Sequence, residues 1–161
     1  METFVSMREL AARLGVAHTV LPRLVDAGVI QGVVQLGKRS SGVPEAEALR
    51  LEAIPFVEEL RQPTLLVKVS GNTDWRNDDR VRQWWPVKQP ELLVGGVLVT
   101  AVVGFVLRVD EITGYESDYG RRSFEIKPPR EKLGDEIRGR RFKTVGGSLT
   151  QVWYQPETKM L

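Results

Sequence analysis

Asp110 and the tripeptide Glu125-Ile126-Lys127, with Glu111 and Asp118 nearby, have the composition of a metal-dependent nuclease site. Such enzymes hold Mg²⁺ between acids on adjacent strands and set a lysine beside the attacking water. The spacing permits this, but any charged strand yields Glu-x-Lys, and a flanking helix of the usual nuclease core is missing. A nuclease using Asp110, Glu125 and Lys127 is therefore the minority expectation, and no enzyme the favoured one. A second set, Trp75, Arg76, Trp84, Trp85 and Tyr115, mixes aromatic rings with a cation. Stacking on such rings stabilises a bound base by roughly 1–3 kcal/mol. Against this, tryptophans bury large area and commonly pack a core. Trp84 and Trp85, adjacent on an expected helix, would point about 100° apart, one inward and one out. A third set is cationic: Arg121, Arg122, Lys127 and Arg130, then Arg138, Arg140, Arg141 and Lys143. A charge run is usually solvated surface, but two clusters converging on one groove would bind phosphate. Both alternatives stay open from sequence.

Nothing else suggests catalysis. The single histidine, His18, has no serine or cysteine partner in a catalytic context, and no glycine loop with a following lysine could cradle a phosphate. Gly95-Gly96 and Gly146-Gly147 read as turns. With no cysteine and one histidine, disulfides, thiolate sites and His-rich zinc sites are excluded. No cofactor or metal is expected.

The elements that position these residues begin with residues 6–54. Ser6 and Glu9 have the spacing of a capping box, Leu10 and Leu14 share a helical face, and Gly15 stops the helix. Val20, Leu21, Leu24 and Val25 mark a second helix ending at Asp26-Ala27-Gly28. Thr19 as its cap would leave Pro22 in the first turn, where proline is tolerated. Val29, Ile30, Val33 and Val34 read as a strand, Gly37-Lys38-Arg39-Ser40 as a tight basic turn. Pro44 opens a third helix with Ala46, Leu49 and Ile54 or nearby positions inward.

The stretches ELAARLGVAHTVLPRLVDAGVI and QLGKRSSGVPEAEAL resemble the winged helix-turn-helix of the MerR and excisionase group, over roughly the first third of the chain. The resemblance implies binding to double-stranded DNA, with the second helix in the major groove and the wing on the backbone or minor groove. It assigns DNA contact to His18, Thr19 and Arg23 on the helix and to Lys38, Arg39 and Ser40 on the wing. Ala17 departs from the family's usual serine or threonine cap. The alternative for such a module is protein interaction or dimerisation.

Residues 55–63 read as a short proline-bounded helix, with a domain boundary near Gln62: residues 1–62 and 63–161. Beyond it come a strand at 64–69, a polar turn at 71–79 with a short helix ending at Trp84-Trp85, and the longest uncharged run, 92–107. That run is too short to span a membrane, which needs roughly 20 residues; its β-branched content favours two buried strands joined near Gly104. Residues 114–120 read as a loop, 123–126 as a strand, 132–143 as a basic connection and 150–154 as a closing strand. Short strands with glycine bends suggest a small, partly open β-barrel, giving an α+β chain. GVLVTAVVGFVLRVDEITGY, GRRSFEI and GSLTQVWY resemble PUA-like domains, which implies RNA or a modified base as a ligand of this part.

The 161 residues, 42% apolar and 27% charged, make a globular chain of one domain or two small ones. Net charge is +2, unevenly distributed: residues 1–62 hold 7 Lys and Arg against 8 Asp and Glu. Five of those cations, Arg8, Arg13, Arg23, Lys38 and Arg39, precede residue 40, and most of the acids follow residue 44. Attraction to phosphate is local at a Debye length of roughly 8 Å, so a one-sided distribution still suits DNA. So few cations should bind weakly, and a homodimer or help from the second domain would raise affinity. The Met1 end carries no basic-then-apolar leader, so a cytoplasmic protein is expected.

Overall fold

The computed structural model describes residues 2–143 and 148–160; Gly146 and Gly147, expected to form a turn, lie outside them. The fold is mixed α+β and divides into two compact units. One comprises Met1–Pro55 with Ser70–Asn72, the other Phe56–Val69 with Thr73–Leu161.

The first unit starts with strand β1 (Phe4–Ser6) running into helix α1 (Met7–Leu14). Ser6 Oγ accepts from the Glu9 N–H at 3.2 Å, and Gly15, with φ 69°, closes the helix in the left-handed region. Leu10, Ala11 and Leu14 are buried. A 3-10 turn (His18–Val20) leads into α2 (Leu21–Asp26), which buries Leu21 and Leu24. Thr19 does not cap α2. Val20 holds that position without a side-chain hydrogen bond, so Pro22 falls second in the helix, where its missing N–H has no intrahelical partner to lose. Val29 and Ile30 are not strand either: both N–H groups donate to the Leu24 carbonyl (2.9 and 3.2 Å), wrapping the helix end. The strand β2 begins at Val34 (Val34–Gly37) and pairs antiparallel with β3 (Ser40–Pro44), which also pairs with β1.

Helix α3 (Glu45–Glu52) follows directly. Its inward residues are Ala48 and Leu51; Ala46 is exposed, and Leu49 is 54% exposed, contrary to expectation. Glu45, Ala48 and Glu52 share one face, and that face meets Arg13 of α1 through both glutamates.

In the second unit, residues 56–60 are extended, not helical. Val57 N–H donates to the Arg141 carbonyl (2.8 Å), and Leu60 exchanges hydrogen bonds with Glu157 (2.7 and 2.9 Å). Distant backbone thus takes the groups a helix would have satisfied internally. A six-stranded, barrel-like sheet follows in the order β5-β8-β7-β6-β4-β9. Its members are β4 (Thr64–Lys68), β5 (Trp85–Pro86), β6 (Val97–Val102), β7 (Phe105–Asp118), β8 (Arg121–Lys127) and β9 (Thr150–Trp153). The β4–β6 pair is parallel and the others antiparallel. Alternate residues of β6 enter two cores. Leu98 joins Leu65, Val67, Ile112 and Phe124, whereas Val97, Val99 and Ala101 join Leu66, Val109, Ile137 and Phe142. Burial on both faces explains the uncharged run there.

Two expectations fail in this sheet. Helix α4 (Asp78–Val81) is only four residues long, and Trp85 belongs to β5, paired with Arg122, rather than to a helix end. Residues 114–118 are strand rather than loop: β7 runs on to Asp118 and turns back at Tyr119-Gly120, both at positive φ (46° and 80°). A bulge between Ile112 and Gly114 lets the ladder continue past the glycine.

Candidate nucleic-acid interface

The nuclease set does not assemble. Asp110 is 5% exposed and its two carboxylate oxygens accept from Arg108 Nε and Nη2, both at 2.7 Å. Arg108 also donates to Asp78 Oδ1 (2.8 Å) and to the Trp75 carbonyl (3.1 Å), so Asp110 anchors a structural network. Alternation along β7 and β8 puts Asp110 on the side of Ile112 and Phe124, and Glu125 on the other. Glu125 lies over Gly114, and its partner across the ladder is that glycine, not an acid. The acid beside Lys127 is Glu111 (3.7 Å), whose carboxylate also accepts the Arg130 N–H (3.0 Å) and pairs with its guanidinium (3.0 Å). The backbone hydrogen bond from Arg130, then the nearby positive charges, hold Glu111 below the usual carboxylate range. Among the described residues no three His, Asp or Glu side chains converge as a metal site.

The aromatic candidates of the second unit are engaged separately. The Arg76 guanidinium stacks over the Trp75 ring at 4.1 Å. Trp85 packs against the core, its Nε1 donating to the Val81 carbonyl (2.8 Å). Trp84 and Tyr115 are 38% and 37% exposed, and Tyr115 lies opposite Phe124 on the ladder. Nor do the cations form two clusters. Arg121 and Arg122 donate to the carbonyls of Trp84 (3.3 Å) and Val87 (3.0 Å) at one end of β8, and Lys127 and Arg130 serve Glu111 at the other. Arg138 pairs with Asp135, and Arg140 donates to the Phe56 carbonyl (3.2 Å). Arg141 is buried between the rings of Phe56 and Phe105 (4.5 and 4.6 Å), and that burial lowers its pKa.

Sequence reasoning missed a groove of about 270 Å³ on this unit, lined by Phe142, Lys143, Gln151, Trp153 and Lys159 among others. Phe142 and Trp153 stack there at 5.8 Å and 20°. Trp153 is legible as a strand residue, but nothing local announces that the chain after residue 156 returns beside it.

In the first unit the expected DNA contacts come from the 3-10 turn, α2 and the β2–β3 hairpin. An open cleft of about 380 Å³ brings together His18, Arg39 and Ser40 with Arg8 and the start of α1. Arg8 is a contributor that the motif match did not assign; its place one residue into a capped helix was the available signal. Lys38, Thr19 and Arg23 are exposed but are not part of that cleft's lining. Gly71, which belongs to this unit, lies against the backbone of Arg23: a Cβ on it would stand 2.5 Å from Arg23 Cα.

The acids of α3 are paired. Arg13 donates through Nη1 and Nη2 to Glu45 (2.9 and 2.8 Å) and through Nε to Glu52. These bonds raise its pKa and lower that of Glu45. Arg50 pairs with Glu47, whose carboxylate also accepts the Gln31 N–H (2.7 Å). The acids of α3 thus meet Arg13 and Arg50. Among the described residues Arg8, Arg23, Lys38 and Arg39 enter no ion pair. No helix among those residues is long and apolar enough to cross a membrane. Comparison with protein-family models, curated proteins and solved structures gave no match for this chain.

Proposed function

We propose that the first unit is a winged helix-turn-helix that binds double-stranded DNA sequence-specifically, as a transcriptional regulator or a mobile-element DNA-binding factor. The observation that carries this is the pattern of pairing: α3 acids are matched by Arg13 and Arg50, whereas among the described residues Arg8, Arg23, Lys38 and Arg39 enter no ion pair, and Arg8 and Arg39 line the cleft that His18 and Ser40 share. Unpaired, solvated cations are what phosphates neutralise. The positive end of α1 opens on the same cleft and adds to the field. In this reading α2 enters the major groove, His18, Thr19 and Arg23 meet base edges or flanking phosphates, and the Lys38-Arg39 turn rides on the backbone. Four cations support only modest affinity for one copy, so a homodimer on a two-fold site fits best.

The second unit is the accessory binder. Its groove pairs a stacked Phe142–Trp153 face with Lys143 and Lys159, which suits a base and its phosphate. Selection from a pool of random duplexes with the whole chain tests the main reading. One short motif should be enriched, and its enrichment should vanish with Arg39→Ala and Lys38→Ala combined. Recovery at background, or a motif indifferent to those changes, overturns it.

A further inference from the structure

The groove that Phe142 and Trp153 line on the second unit also carries an acid, Glu157. Strand β9 forms one wall. Its alternation puts Gln151 and Trp153 on the groove side and Val152 on the other, packed against the core of Leu65 and Phe124. The segment 157–160 forms another wall. Leu60 and Glu157 exchange backbone hydrogen bonds (2.7 and 2.9 Å), and the Met160 N–H donates to the Glu58 carbonyl (3.1 Å). Phe142 is buried and stacked on Trp153, which is half-buried, so Trp153 is the ring that a ligand meets. The polar side chains of the groove, Lys143, Gln151, Glu157 and Lys159, are all exposed. Among the described residues none of them makes a hydrogen bond or ion pair through its side chain. Two lysines suit a phosphate. A carboxylate beside them repels it, a cost that donors on the ligand's base would offset.

Resting on the reading of this groove as a site for a base and its phosphate, we infer that the base is an unpaired guanine and that Glu157 selects it. Guanine's Watson–Crick edge presents two donors side by side, N1–H and the N2 amino group, which match the two oxygens of one carboxylate. Adenine and cytosine offer a single amino group beside a ring nitrogen that accepts, and uracil offers one N–H between two carbonyls. Each of these sets a lone pair against the carboxylate. The Gln151 amide carries the donor that guanine O6 needs. Trp153 provides the stacking face, and Lys143 and Lys159 the phosphate contacts. A duplex is excluded from this groove, because base pairing occupies the edge that Glu157 would read.

The test is titration of the whole chain with the 5′-monophosphates of guanosine, inosine, adenosine, cytidine and uridine, read by amide shifts in NMR. Saturable binding of the guanosine compound is expected at a Kd on the order of 1 mM, with shifts gathered at residues 142–143, 151–153 and 157–160. Inosine lacks the N2 amino group and should bind roughly tenfold more weakly, as should the other three. Glu157→Gln should remove the preference, since an amide sets one donor against guanine's pair of donors. Glu157 is exposed and tied to the fold through its backbone, and circular dichroism checks that the variant folds. The comparison of guanosine with inosine needs no variant. The single-stranded RNAs UUUGUUU and UUUUUUU distinguish the source of the guanine: tighter binding of the first than of the mononucleotide assigns it to a strand, equal binding to a free nucleotide. Equal affinity for all five nucleotides, inosine binding as tightly as guanosine, or a guanine preference that survives in folded Glu157→Gln would overturn the guanine assignment while the base site stands. Saturation by none of them would overturn both.

Discussion

Replacing Lys38 and Arg39 by alanine removes two of the four lysine and arginine side chains among the first unit's described residues that enter no ion pair. Each neutralised phosphate contributes about 0.9 to the slope of log affinity against log salt. Four contacts therefore bound the wild-type slope near about −3.6, and the double variant should fall to about −1.8. Between roughly 50 and 200 mM salt, the wild type would lose about 150-fold in affinity and the variant about 12-fold. Fluorescence anisotropy of one labelled duplex across that range reads both slopes. Arg13→Ala is the internal control. Arg13 is already bound to Glu45 and Glu52, so the slope should hardly move although a cation is lost. Equal slopes for the wild type and the double variant, or a larger drop for Arg13→Ala, would refute the idea that pairing decides which cations meet phosphate.

The same geometry gives further expectations. Gly42→Ala should destabilise the first unit by about 1–3 kcal/mol, seen as an earlier thermal transition, because the new Cβ would press on the Val5 carbonyl and stand 2.6 Å from Leu36 Cδ1. Unchanged melting would mean that β1 and β3 do not pack this closely. Glu111 is held below its ordinary pKa by Arg130 and Lys127, so its contribution is full above the unfolded value of about 4.3 and fades as pH falls through the lower folded value. Glu111→Gln should therefore lower the melting temperature at pH 7 and flatten the acid limb; parallel pH profiles would contradict this. With Mg²⁺ or Mn²⁺, duplex and single-stranded DNA should stay intact, since Asp110 is held by Arg108 on the side away from Glu125. Cleavage that disappears in folded Glu125→Gln would revive the nuclease.

Legibility in the sequence tracked how local the cause was. The Ser6 cap, the Gly15 stop and the Lys38-Arg39 turn depend on neighbours in the chain, and each lies where its residues indicate. The β6–β7 hairpin was also readable, because burial on both faces leaves an uninterrupted apolar run. Residues 56–60 were misread because their hydrogen-bond partners, Arg141 and Glu157, lie about a hundred residues or nearly so away along the chain. The exposed Leu49 was misread because Ala48 and Leu51 are the residues that α3 turns inward. The candidate site was half readable. His18, Arg39 and Ser40 do meet, but Arg8 joins them only once β1 and β3 pair.

The most direct measurement is an amide NMR titration of the ¹⁵N-labelled whole chain with a selected duplex. DNA binding through the first unit predicts that shifts and broadening gather at Arg8, in residues 18–23 and around the Lys38-Arg39 turn, sparing the paired α3 face of Glu45, Glu47 and Glu52. A footprint on α3, one confined to the second unit, or no footprint at saturating duplex would contradict it.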